Sequence, residues 1–90
     1  MSKAHVDPAE LRRFAADLNR FNNDLDGLLK GLNGRLRGLE QTWQDQEQKK
    51  FRESFEQSMK VFSTFLNDSA AHASSLNKKA GVIEEYLKQR

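Results

Sequence analysis

An all-α antiparallel helical hairpin, two copies of which form a four-helix bundle dimer, is the fold class this sequence predicts. Three observations carry it. Apolar side chains recur at three- and four-residue steps in two long stripes, helix-start signals precede each stripe, and the stripes come into register when the chain is folded about its midpoint. The 90 residues make one domain, 1–90, whose core is marginal when it stands alone. Partners are therefore expected.

The first element starts at Asp7-Pro8-Ala9-Glu10, where an acidic N-cap, a proline at the first helical position and a glutamate at the third form a capping box at the positive end of the helix dipole. The stripe that follows is Leu11, Phe14, Leu18, Phe21, Leu25, Leu28, Leu32, Leu36, Leu39 and Trp43, which predicts a helix over about 8–42. Two successive four-residue steps, 28 to 32 to 36, read as a stutter that relaxes a left-handed supercoil. Gly27, Gly31, Gly34 and Gly38 share another face of this helix, each costing about 1 kcal/mol relative to alanine. They form either a smooth surface on which another helix docks or a tolerated flexible stretch.

The only tryptophan stands in the midpoint segment TWQDQEQKKF, residues 42–51. This segment predicts a turn over about 43–45. Asp45 is placed to accept from the backbone N–H of Gln48 while the Gln48 side chain reaches back, so a second helix runs over about 46–88. Its stripe is Phe51, Phe55, Met59, Phe62, Leu66, Ser69, Ala73, Leu76, Ala80, Ile83 and Leu87. Helices of these lengths span about 50 to 65 Å, and so short a turn makes them antiparallel.

Folding about position 45 pairs 39 with 51, 32 with 59, 25 with 66, 18 with 73 and 11 with 80, all with sums of 90 or 91. Phe55 and Phe62 then oppose leucines, and Phe21, Leu18 and Leu11 oppose Ser69, Ala73 and Ala80, as interdigitated packing requires. Two helices cannot cover both sides of their own seam. With Leu29, Val61 and Phe65 on its shoulders, the stripe suits a four-helix arrangement, and the seam also serves as the dimer contact: Leu11, Phe14, Leu18, Phe21, Leu25, Leu28, Leu32, Phe55, Phe62, Leu66, Leu76 and Ile83. The small-residue run SAAHASS, 69–75, leaves room for close helix approach or for the facing phenylalanines.

The composition excludes several function classes. With no cysteine there is no disulfide framework and no thiolate nucleophile. The 15 basic and 13 acidic residues are interspersed, so the pI near 9.1 reflects no basic arm for nucleic acid. No stretch has the apolar length of a membrane span, and the N-terminus lacks the apolar core of a cleaved signal peptide. A cofactor or metal is not expected: His5 is in the N-terminal segment, and His72 has only Asp68 one turn earlier, a side-chain pair rather than a ligand set. Ser69, Ser74 and Ser75 near His72 lie on a helix face without an oxyanion hole, so no enzyme is expected. Lys49 with Glu53, Arg52 with Glu56 and Glu84 with Lys88 read as i,i+4 pairs on a solvated face.

The opening VDPAELRRFAADL, the leucine-rich first helix, the tryptophan at a short polar turn and the following KKFRESFEQSMKVF resemble the WXG family of helical hairpins of about a hundred residues, which includes the ESAT-type early secreted antigens. The resemblance spans essentially the whole chain. It implies a dimeric four-helix bundle and export by a type VII, ESX-like secretion system without a cleaved signal. Trp43 matches the family tryptophan, which helps form a notch at the bend and packs on the partner's helix end. Two positions depart from the pattern: Asp45 stands where the family has glycine, and Tyr86 is followed four residues later by Arg90 where exported members often carry an acidic residue.

Two functions follow from the same seam. In one, the chain is a type VII export substrate or the co-export partner of a larger effector, pairing with itself or with a paralogous hairpin and presenting its bend and the Tyr86–Arg90 region to a secretion ATPase. It is then cytoplasmic before export and secreted afterwards. In the other, it is a cytosolic adaptor or secretion chaperone that shields a cargo helix by completing the bundle.

Overall fold

The computed structural model describes residues 6–89 as two antiparallel helices, α1 (Pro8–Leu39) and α2 (Gln46–Lys88), in a rod of 68 × 23 × 16 Å. Both starts are capped by aspartate. Asp7 is extended (φ −83°, ψ 116°) and its Oδ1 accepts from the Ala9 N–H at 2.9 Å, with Pro8 in the first turn. Asp45 is also extended (φ −95°, ψ −173°), and its Oδ1 accepts from the Gln48 N–H at 2.9 Å. Because no described residue has a positive φ, the turn closes without the left-handed conformation that favours glycine. Only the aspartate half of each capping box forms. The Gln48 side chain donates to Glu40 across the turn, and Glu10 lies 4.0 Å from Arg13 on its own helix.

Helix α1 ends at Leu39, short of the expected 42. From there the chain tightens: the N–H groups of Gln41 and Thr42 bond the carbonyls of Gly38 and Leu39, three residues back, at 3.2 and 3.1 Å. The free carbonyls at this end are taken by side chains. Gln44 Nε2 donates to Glu40 O and Gln41 O, and Thr42 Oγ1 donates to Leu39 O.

The line along which the helices touch differs from the apolar stripe. Buried positions are Ala15, Asn22 and Leu36 on α1 and Ser69, Ala73 and Ala80 on α2, with Leu29 half-buried. On α1 these positions, 15, 22, 29 and 36, repeat every seven residues, so the seam follows an unbroken heptad and the expected stutter is absent from it. Phe14, Phe21 and Leu28 lie beside this line, 57%, 52% and 70% exposed. The reason is steric: small side chains let two helices approach closely, and the bulky ones turn outward. Asn22 is the polar exception. Its amide Nδ2 and Oδ1 are buried without partners, an arrangement that costs stability.

The four α1 glycines are exposed, and a Cβ at Gly27, Gly31, Gly34 or Gly38 meets nothing within 4 Å. All have negative φ, so alanine fits without strain. Gly31→Ala and Gly34→Ala should each raise stability by about 1 kcal/mol. Thermal unfolding followed by circular dichroism measures this, and an unchanged or lowered Tm would contradict the open space around these two positions.

Candidate interaction face

The hairpin has two unlike sides. On one side, Phe14, Phe21, Leu28, Leu32 and Leu39 of α1 lie beside Phe51, Phe62 and Phe65 of α2, each between 38% and 70% exposed. Aromatic contacts tie this side together. Phe21 and Phe65 meet edge to face across the seam (centroids 6.2 Å apart, 87°), and Trp43, Phe51 and Phe55 form a ladder at the bend with centroid distances of 5.9 and 6.0 Å. Trp43 is half-buried, closing the end of the hairpin on Phe51. Two depressions mark the same side. A groove of about 620 Å³ lies toward the open end between Phe14, Leu18, Phe65, Ser69, His72 and Leu76, and a smaller one of about 240 Å³ lies near the bend between Leu32, Leu36, Leu39, Phe51 and Phe55.

The opposite side is polar, with Asp26, Lys30, Asn33, Arg37, Arg52 and Glu56 around one shallow depression. Here the helices are joined by two ionic clamps. Near the bend, Arg52 binds Glu40 through Nε at 2.8 Å and Nη2 at 2.6 Å, and Nη1 reaches Asn33 at 3.1 Å. At the open end, Arg12 binds Glu84 through Nε at 3.0 Å and Nη2 at 2.7 Å, with Asn77 at 3.5 Å. Both are fork-to-fork pairs, the strongest geometry available to a guanidinium and a carboxylate. Arg52 also lies 5.9 Å over the Phe55 ring, linking the clamp to the aromatic ladder.

The clamps shift their members' pKa values. Hydrogen bonding from Arg52 holds Glu40 below the usual carboxylate range, and hydrogen bonding from Arg12 does the same for Glu84. Each carboxylate, titrating lower in the folded chain, adds stability that is present above the ordinary glutamate pKa and lost as pH falls through the lowered folded value. Thermal unfolding between about pH 6 and pH 2 should therefore show Tm falling below the ordinary glutamate pKa of about 4.3. In Glu40→Gln/Glu84→Gln that fall should be shallower. Equal acid sensitivity in the variant would assign it to other carboxylates.

Of the residues singled out in the sequence, Phe14, Phe21, Leu28, Leu32 and Phe62 lie on the exposed apolar side, while Leu11, Leu18, Leu25, Phe55, Leu66, Leu76 and Ile83 are half-buried near the seam. Tyr86 is 65% exposed on the last turns of α2; Arg90 and His5 lie outside the described residues. Glu84 pairs with Arg12 in place of Lys88, Arg52 keeps a 3.8 Å contact to Glu56, and among the described residues no ion pair joins Lys49 to Glu53 or His72 to Asp68. Sequence reasoning missed both clamps, whose partners lie 12 and 72 positions apart. The one available signal was the register itself, which brings Arg12 and Glu84 to the same end of the hairpin. Among the described residues no group of three metal-binding side chains converges, and no helix is long and apolar enough to cross a membrane.

A family model described as proteins of 100 residues with WXG, WXG100, matches residues 3–86. The chain belongs to the WXG100 family. Solved structures similar to this WXG100 chain include the secreted protein EsxB of Bacillus anthracis strain Sterne. One point mutant of that protein is 24% identical, with a TM-score of 0.81 over 93% of this chain and 97% of that one. A selenomethionine-labelled form is 23% identical, with a TM-score of 0.82 over 96% and 98%. The wild-type protein in space group P21 is 25% identical, with a TM-score of 0.79 over 90% and 87%. No curated protein matches the sequence. At the bend, Trp43-Gln44-Asp45 stands in place of the WXG of the family's description, and Asp45 serves as a helix cap.

Proposed function

We propose that this WXG100 chain is a non-enzymatic export protein of the type VII class, acting as a paired hairpin that leaves the cell alone or escorts a larger effector. The observation that carries the proposal is the one-sided apolar face. Among the described residues no large side chain is fully buried, while eight large apolar residues on one side remain about half exposed. At aromatic and leucine areas of 150–250 Å² each, that is roughly 700–800 Å² of uncovered surface per hairpin, about one partner's share of a standard protein interface. A second hairpin laid on this side completes a four-helix bundle and leaves the polar side, with its clamps, in water. Val82 and Tyr86, exposed on the single hairpin, lie at the end of α2, the region offered for recognition by export machinery.

Sedimentation equilibrium or light scattering on the purified chain tests the pairing. A helical species of about twice 10.4 kDa supports it. A poorly helical monomer would turn the assignment toward a cytosolic adaptor whose bundle is completed by a cargo helix. Export is tested separately, by looking for the chain in the culture medium of its own cell with and without the secretion ATPase; equal amounts in both would remove the type VII assignment.

A further inference from the structure

Resting on the paired-hairpin reading, we infer that the chain selects a second copy of itself by seating Phe62 of one hairpin in the groove at His72 and Ser69 of the other, twice per dimer. An antiparallel pair related by a two-fold axis, with the hairpins fully overlapped, places that axis at the midpoint of α2, which is Asn67 in a helix running Gln46–Lys88. Positions equally distant from Asn67 then lie at the same level on facing hairpins. Phe62 is five residues toward the bend and His72 five toward the open end, about 7.5 Å from the axis in each direction. Phe55 and Lys79 are matched in the same way at twelve residues, and Phe65 and Ser69 at two.

These matched levels have opposite shapes. On α2 the bend half carries the rings, with Phe62 38% exposed and Phe55 half-buried seven residues nearer the bend. The open half carries the groove of about 620 Å³, lined on α2 by residues that include Ser69, His72 and Ser75 and on α1 by Phe14 and Leu18. An open groove of that size admits a phenyl ring, so Phe62 fits with Phe55 at its edge. Knob and hole thus occupy mirror positions on one surface, as an isologous interface requires: each hairpin offers both, and an identical partner satisfies both. A chain lacking rings at these levels leaves the groove unfilled. Specificity for self lies in this match, since the remaining apolar contacts accept any hydrophobic partner.

Two variants and their mixture test the inference. His72→Trp/Ser75→Phe fills the groove at positions that are exposed in the single hairpin, and Phe62→Ala trims the knob. Each alone should weaken the homodimer about tenfold or more by sedimentation or native mass spectrometry. Mixed in equal amounts they should form a heterodimer tighter than either homodimer, because the filled groove then meets the trimmed position and the intact groove meets the intact ring. If Phe62→Ala loses helicity, Phe62→Leu takes its place in the same mixture. A mixture no tighter than the average of its components, with wild type dimeric, overturns the knob-and-groove assignment and leaves the paired hairpin standing. A monomeric wild type overturns the pairing itself.

Discussion

Ala73→Leu is expected to destabilise the hairpin by about 1–3 kcal/mol, and to do so on both sides of a paired assembly. Ala73 is 1% exposed, and it sits between Ser69 and Ala80, themselves 3% and 0% exposed, on the line where α2 meets Ala15, Asn22 and Leu36 of α1. The close approach of the helices depends on these small side chains. A leucine on this line of close contact forces the axes to separate locally or the side chain to leave its preferred rotamer. Tm should fall by roughly 4–8 °C for each kcal/mol lost in a domain of this size. Ala73→Ser, which adds one atom, serves as the control and should cost much less. If leucine were accepted with no loss of Tm, the helices would have to be farther apart at this level than the buried line indicates.

The parts of the fold that were legible in the sequence are those set by local chemistry. Asp7 and Asp45 cap their helices through bonds to backbone N–H groups two and three residues away, so short sequence patterns fixed both starts. The end of α1 had no such mark. No glycine at a positive φ and no proline stops it, and the stop is made by Thr42 and Gln44 folding back on the last carbonyls. The seam was displaced for a different reason. On α1 a single apolar arc covers both the side facing α2 and the side facing outward, and a reading by hydrophobicity follows Phe14, Phe21 and Leu28. Packing selects Ala15, Asn22 and Leu36, because side-chain size decides which part of the arc goes inward. The clamps were illegible because every charged residue on a solvated helix has several partners by spacing alone. Only the three-dimensional register directs Glu84 to Arg12 and not to Lys88 one turn later.

The outward part of that arc supplies the second large effect. Phe21→Asp is expected to convert the paired hairpin to monomers while leaving each hairpin helical. Phe21 is 52% exposed and touches Phe65 edge-on, so a partner covering this side removes about 100 Å² of ring surface from water per hairpin, worth about 2.5 kcal/mol. A two-fold pair loses this twice, which lowers the association constant by about several thousandfold, and an unpaired carboxylate in the contact adds to the loss. At micromolar concentrations where wild type sediments as a dimer, the variant should sediment as a monomer. Its Tm should also lose the rise with protein concentration that a dimer confers. Salt separates this effect from the clamps, since an apolar contact resists added salt whereas the Arg12–Glu84 pair, with both side chains more than 40% exposed, is screened. If Phe21→Asp remained dimeric at wild-type strength, the pairing surface would have to be sought on the other side of the hairpin, among the glycines and the charged residues around Arg37.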